Sequence, residues 1–246
     1  MRLKKVTLSV VIGISYVFAL RVIGTFFPTI FTNPSITKVT GIISLLASLA
    51  MVVFFIYLYK DYLRQEQTKL RAVTILVVLV SLVGLLTQIR DLSITFKVNV
   101  LPYSVMIHHY IETIVPLFGA IFILIFFVVF YQEISGKELV KLKKATFLAI
   151  IAAFARVSLQ AFVLFNYFYY LQFGYPTDLA NNKTIIFSLS IPIILFWFWG
   201  ILIFFISFYR VQKQYENCPL TLGQSGKADP NQPIGSNKSR INPQTS

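Results

Sequence analysis

Six stretches of this chain are too long and too apolar to be ordinary elements of a water-soluble domain. They run from about Val6 to Phe31, Val39 to Tyr59, Ala72 to Ile89, Tyr103 to Gln132, Ala145 to Gln172 and Thr184 to Tyr209. A helix crosses the hydrocarbon core of a bilayer with about 20 mostly apolar residues, and each run is close to that length or beyond it. Inside the bilayer the backbone must satisfy its own polar groups, which each run does by coiling into a helix. The fold predicted is an all-α integral membrane protein, a bundle of six transmembrane helices.

Composition agrees. Of 246 residues, 57% are hydrophobic and 13% charged, against about 45–50% and about 25% in soluble domains. The formal net charge of +13 does not point to nucleic acid, because the basic residues sit in short connections between apolar runs. No nucleic-acid partner is expected; the bilayer is, and other membrane subunits are a further possible class of partner. One cysteine, Cys218, excludes a disulfide framework and thiolate-rich metal sites. No cofactor is indicated.

The basic residues also orient the chain. Arg2, Lys4 and Lys5 precede the first run; Lys60, Arg64, Lys69 and Arg71 join the second to the third. Lys137, Lys141, Lys143 and Lys144 join the fourth to the fifth, and Arg210, Lys213, Lys227, Lys238 and Arg240 follow the sixth. Only Lys38, Arg90, Lys97 and Lys183 fall on the other side. Cytoplasmic loops are the Lys/Arg-rich ones, so both termini are predicted in the cytoplasm of a multi-pass protein, expected in the cell membrane. The MRLKK start resembles a signal peptide, but no small-x-small cleavage site follows, and an uncleaved first helix is expected.

Two units are predicted: residues 1–214 as the six-helix domain, and residues 215–246, rich in Gly, Pro, Ser, Asn and Gln, as a disordered cytoplasmic tail. No Walker-type loop or G-x-S-x-G elbow is present. Comparing residues 1–100 with 101–215 reveals no internal repeat, although an inverted three-plus-three arrangement is geometrically open.

The polar residues inside the runs are unevenly placed. With a rise of about 1.5 Å per residue, Arg21 falls in the outer third of the first span, and Gln88 and Asp91 at the outer end of the third. His108 and His109 fall in the outer third of the fourth, and Glu112 near its middle. Arg156 is near the middle of the fifth, with Gln160 one turn further out. Ionisable groups at such depths face a protein interior or a water-filled cavity. Each also has a plainer reading. Arg21 can snorkel to the headgroups, Asp91 can mark a helix end, and the histidines can be interfacial. Glu112 is expected to pair with Arg156 or Arg21. His108 and Glu112 are spaced to share a metal ion, but too few further ligands are in the chain for a convincing site.

Three functions are compatible with this pattern. In order of preference they are a transporter, or a membrane subunit of one, with a polar outward-facing site for a small anionic ligand; a non-catalytic sensor or assembly subunit binding another membrane protein; and an intramembrane enzyme using His108, His109 and Glu112. The basic excess of Arg21 and Arg156 over Glu112 favours an anion.

Overall fold

The structure is a computed structural model. It describes residues 2–27, 29, 33–63, 67–96, 105–136, 139–173 and 179–216, and for residues 2, 61–62, 105–113, 167, 170–173, 179–189 and 215–216 the backbone alone. The expected tail beyond residue 216 lies outside the described residues. The helices are α1 (Arg2–Phe26), α2 (Pro34–Tyr57), α3 (Thr68–Thr95), α4 (Val105–Ser135), α5 (Val140–Phe173) and α6 (Leu179–Glu216). Six are long and apolar enough to cross a membrane, one for each apolar run.

Helix ends follow backbone chemistry rather than hydropathy. The second run begins near Val39, yet α2 starts at Pro34. The Asn33 side chain accepts a hydrogen bond from the Ser35 N–H at 2.9 Å, and Pro34 supplies a pre-set φ where no N–H is needed. α6 continues past Tyr209 to Glu216, because Gln and Lys are good helix formers whether or not they are in lipid. α2 runs into one π turn, Leu58–Tyr62. Arg71 at the start of α3 braces it, donating to the Tyr59 hydroxyl at 3.1 Å with its guanidinium 4.8 Å from the ring centre.

Each helix packs on its neighbours in the chain, and α1 also packs on α6, so the six close into a ring. One buried cluster unites the first turns of α1, α3 and α5 (Leu3, Leu70, Leu142) with the ends of α2, α4 and α6 (Phe55 and Leu58 of the following π turn, Ile134, Val211). Neighbouring helices are therefore antiparallel, and this end of the ring is filled.

The filling is cyclic. Phe55 of α2 meets Phe126 of α4 at 5.1 Å between ring centres, Phe127 of α4 meets Phe204 of α6 at 4.9 Å, and Phe205 of α6 meets Phe54 of α2 at 4.8 Å. All three are edge-to-face, with interplanar angles of 88°, 73° and 83°, the geometry an aromatic quadrupole favours. The second phenylalanine of each pair touches the first of the next, and the cycle closes after three steps.

That cycle exposes a repeat. The segments Phe54–Lys60, Phe126–Gln132 and Phe204–Arg210 read FFIYLYK, FFVVFYQ and FFISFYR. The odd helices open alike: Leu3–Thr7, Leu70–Thr74 and Leu142–Thr146 read LKKVT, LRAVT and LKKAT. Equivalent side chains have equivalent environments. Thr7, Thr74 and Thr146 are all fully buried, and each hydroxyl donates to the carbonyl four residues back, at 2.8, 2.7 and 2.8 Å. Such a bond satisfies a hydroxyl inside an apolar bundle. The ring is thus three helical hairpins, α1–α2, α3–α4 and α5–α6, related by a pseudo-threefold axis. The repeat divides the chain into thirds, so a comparison of halves sets unlike segments side by side.

Each hairpin is held where a small residue lets two backbones approach. The crossings are Gly13 on Ala47, Gly119 on Val80 and Gly200 on Ala152. A Cβ added at Gly200 would stand 2.7 Å from the Ala152 Cβ, which the α5–α6 pair must separate to admit. Gly200→Val is expected to cost about 1–3 kcal/mol, the usual range for overpacking. The check is thermal unfolding in detergent, with Gly84→Val, which meets nothing within 4 Å, as the comparison.

Candidate functional site

A cavity of about 830 Å³ lies between the last turns of α1 and α3 and the early turns of α2 and α6. Val17, Leu20, Ile191, Ile194 and Leu195 give it an apolar wall on α1 and α6. Arg21, Thr25, Thr37, Thr40, Ser44, Gln88, Asp91 and Thr95 give it a polar one. A smaller cavity of about 340 Å³ runs between α3 and α4 past Pro116 and Gly119, and Gln88 and Asp91 line both.

Several hydroxyls here already use their protons. Thr25 donates to the Arg21 carbonyl at 2.9 Å, Thr40 to that of Thr37 at 2.9 Å, and Thr95 to that of Asp91 at 2.9 Å. They present oxygen lone pairs to the cavity. Among the described lining residues, the guanidinium of Arg21, the carboxamide of Gln88 and the hydroxyl of Ser44 remain as donors for an anion.

The repeat explains why these residues are here. Counting fourteen residues from Thr7, Thr74 and Thr146 reaches Arg21, Gln88 and Gln160. Fourteen residues are close to four helical turns, about 21 Å, so the three hold equivalent positions along α1, α3 and α5, with Arg21 exposed, Gln88 half-buried and Gln160 buried; Gln160 lines neither cavity. Gln160 is nine-tenths buried, with 9% exposure. The Gln88 Oε1 is buried without a hydrogen-bond partner. Arg156, half-buried, lies one turn closer to the filled end and lines neither cavity.

Counting fourteen residues back from Phe54, Phe126 and Phe204 reaches Thr40, Glu112 and Ser190. Thr40 and Ser190 line the large cavity. Glu112 holds the same register position on α4, and His109 the position of Thr37. The side chains of His108, His109 and Glu112 lie outside the described residues, so the expected pairing of Glu112 with an arginine does too. The sequence reading passed over Thr25, Thr37, Thr40, Ser44, Thr95 and Ser190. Ser and Thr barely interrupt an apolar run, and of these six the repeat singles out only Thr37, Thr40 and Ser190.

No protein-family model, curated protein or solved structure matches the chain. What the fold defines is a class: an integral multi-pass membrane protein, its six apolar helices forming an all-α bundle with lipid around it.

Proposed function

We propose that this protein is a transporter, or the membrane subunit of one, for a small ligand carrying negative charge. The observation that carries the reading is the cavity of about 830 Å³ lined by Arg21, with interlocked phenylalanines filling the opposite end of the ring. A cavity set against a closed constriction suits one of the two states alternating access requires. With the termini cytoplasmic, as the charge bias predicts, the cavity lies toward the outside. Arg21, Gln88 and Asp91 line the cavity and are assigned to the site; Arg156 and Gln160 line neither cavity and are assigned by depth alone, as is His108, while His109 and Glu112 are assigned by register. The cavity is in the usual range for a small-molecule site, about 300–1,000 Å³.

Purified protein in sealed vesicles is expected to move organic anions from a panel of carboxylates and phosphate esters, and Arg21→Gln to reduce that flux at least about tenfold, the worth of one charge-assisted contact. Absence of flux for the whole panel, with folded protein present, would leave a ligand-binding sensor or assembly subunit as the better account. Accessibility offers a separate check. In a Cys218→Ser background, cysteines at Thr40 and Asp91 should react with a membrane-impermeant thiol reagent added outside, and cysteine at Phe127 should not.

A further inference from the structure

We infer that a monovalent metal cation, sodium or potassium, binds in the smaller cavity between α3 and α4, held by the carboxylate of Asp91 and the side-chain oxygens of Gln88 and Thr87. Ser81, Gly84, Gln88 and Asp91 recur at intervals of three, four and three residues, which puts them on one stripe of α3. All four line this cavity together with Thr87, and Pro116 and Gly119 line it from α4. Residues one turn apart on a helix are neighbours, with Cβ atoms about 5–6 Å apart. Asp91 lies one turn from both Thr87 and Gln88, so a single ion can reach all three oxygens.

These oxygens are acceptors in want of a positive partner. The Gln88 Oε1 is buried without a hydrogen-bond partner. The Thr87 hydroxyl donates its proton to the Gly84 carbonyl at 2.8 Å, which leaves its lone pairs for the cavity. Among the described residues the Asp91 carboxylate makes no ion pair or hydrogen bond, and no Lys, Arg or His lines this cavity. Pro116 lies inside α4 and has no N–H, so the carbonyl four residues before it loses its helical donor. Buried acceptors left in this state cost stability until something completes them. Their chemistry names the partner. Oxygen ligands suit hard cations, and among the described residues no group of three His, Cys, Asp or Glu converges as a transition metal would need. One carboxylate balances one positive charge. A volume of about 340 Å³ takes such an ion with part of its hydration, a water's share being about 30 Å³. Gln88 and Asp91 also line the large cavity, where an unneutralised carboxylate repels an anionic ligand. A cation beside Asp91 removes that repulsion, so ion and ligand raise each other's affinity by the same factor. This consequence rests on the proposed function; the ion site does not.

The test follows the Tm of the full-length protein in detergent as sodium chloride or potassium chloride replaces choline chloride at constant ionic strength. At least one of the two cations is expected to raise the Tm saturably, by about 5 °C or more at about a hundredfold excess over its Kd. The cation with the lower midpoint is the one the site selects. Asp91→Asn should raise that midpoint at least about tenfold. Gly84→Val projects into the same cavity, yet its added Cβ meets nothing within 4 Å. It should abolish the cation response while leaving the Tm in choline unchanged, which separates loss of the site from loss of the fold. Equal Tm in all three salts overturns the inference, and so does a cation response that survives Asp91→Asn. A Tm that answers to pH through Asp91 and to neither cation assigns the carboxylate to a proton and overturns it as well. A cation response without anion flux in vesicles leaves the ion site standing and removes the transport reading alone.

Discussion

Phe204→Ala is expected to lower unfolding free energy by about 2–3 kcal/mol and to open a leak. Phe204 is 1% exposed and contacts the rings of Phe127 and Phe130 at 4.9 and 5.5 Å. In soluble proteins a core Phe→Ala change costs about 3–5 kcal/mol, part from transfer out of water and part from the cavity left behind. In a bilayer the unfolded helix keeps its phenylalanine in lipid, so the transfer part largely vanishes and the lost packing remains. The pseudo-threefold axis sharpens the expectation. Phe54→Ala and Phe126→Ala remove equivalent rings of the same cycle, and the three costs should agree within about 1 kcal/mol. Denaturant unfolding in detergent measures the costs, and release of a small trapped dye from vesicles measures the leak. One position far costlier than its equivalents would mean the symmetry is of shape and not of energy.

Arg156→Met is expected to raise thermal stability and to abolish ligand binding. Arg156 is half-buried within α5, inside a membrane span. Removing a part-buried cation relieves its desolvation, and methionine matches the length of the aliphatic stem. Functional groups are often retained at such a cost to stability. We expect a Tm several degrees higher, about 2–4 °C per kcal/mol recovered for a chain of this size, and a loss of anion binding of at least about tenfold. A lower Tm would instead reveal a carboxylate paired with Arg156, and Glu112 is the acid the sequence nominates. Glu112→Gln combined with Arg156→Gln would then recover part of the loss that Glu112→Gln causes alone.

Much of this was legible before any coordinates. The six runs, the all-α class and the excess of polar residues at one end follow from residues taken singly, because hydrocarbon penalises each charge and each unpaired peptide on its own account. Arg21, Gln88 and Asp91 were found this way, and they do line one cavity. The threonines and serines beside them were not, because a hydroxyl bonded to its own helix hardly disturbs hydropathy. The repeat was written in the chain too, since Leu70 to Leu142 and Phe54 to Phe126 span equal intervals. It was masked by unequal connections and by runs so apolar that any two look alike.

The sequence by itself determined that the chain has six membrane-spanning helices, and its basic connections predict which side they favour. Both are sums over local transfer free energies, and neither depends on which helix meets which. Only the tertiary structure decided that the helices close into a ring of three hairpins. Ring closure rests on contacts between residues far apart in the chain, such as Phe54 with Phe205 at 4.8 Å. It also decided that the phenylalanines converge at one end while Arg21, Gln88 and Asp91 line one cavity toward the other. Apolar side chains gain nothing from each other over lipid except by close fit, and fit is a property of assembled surfaces.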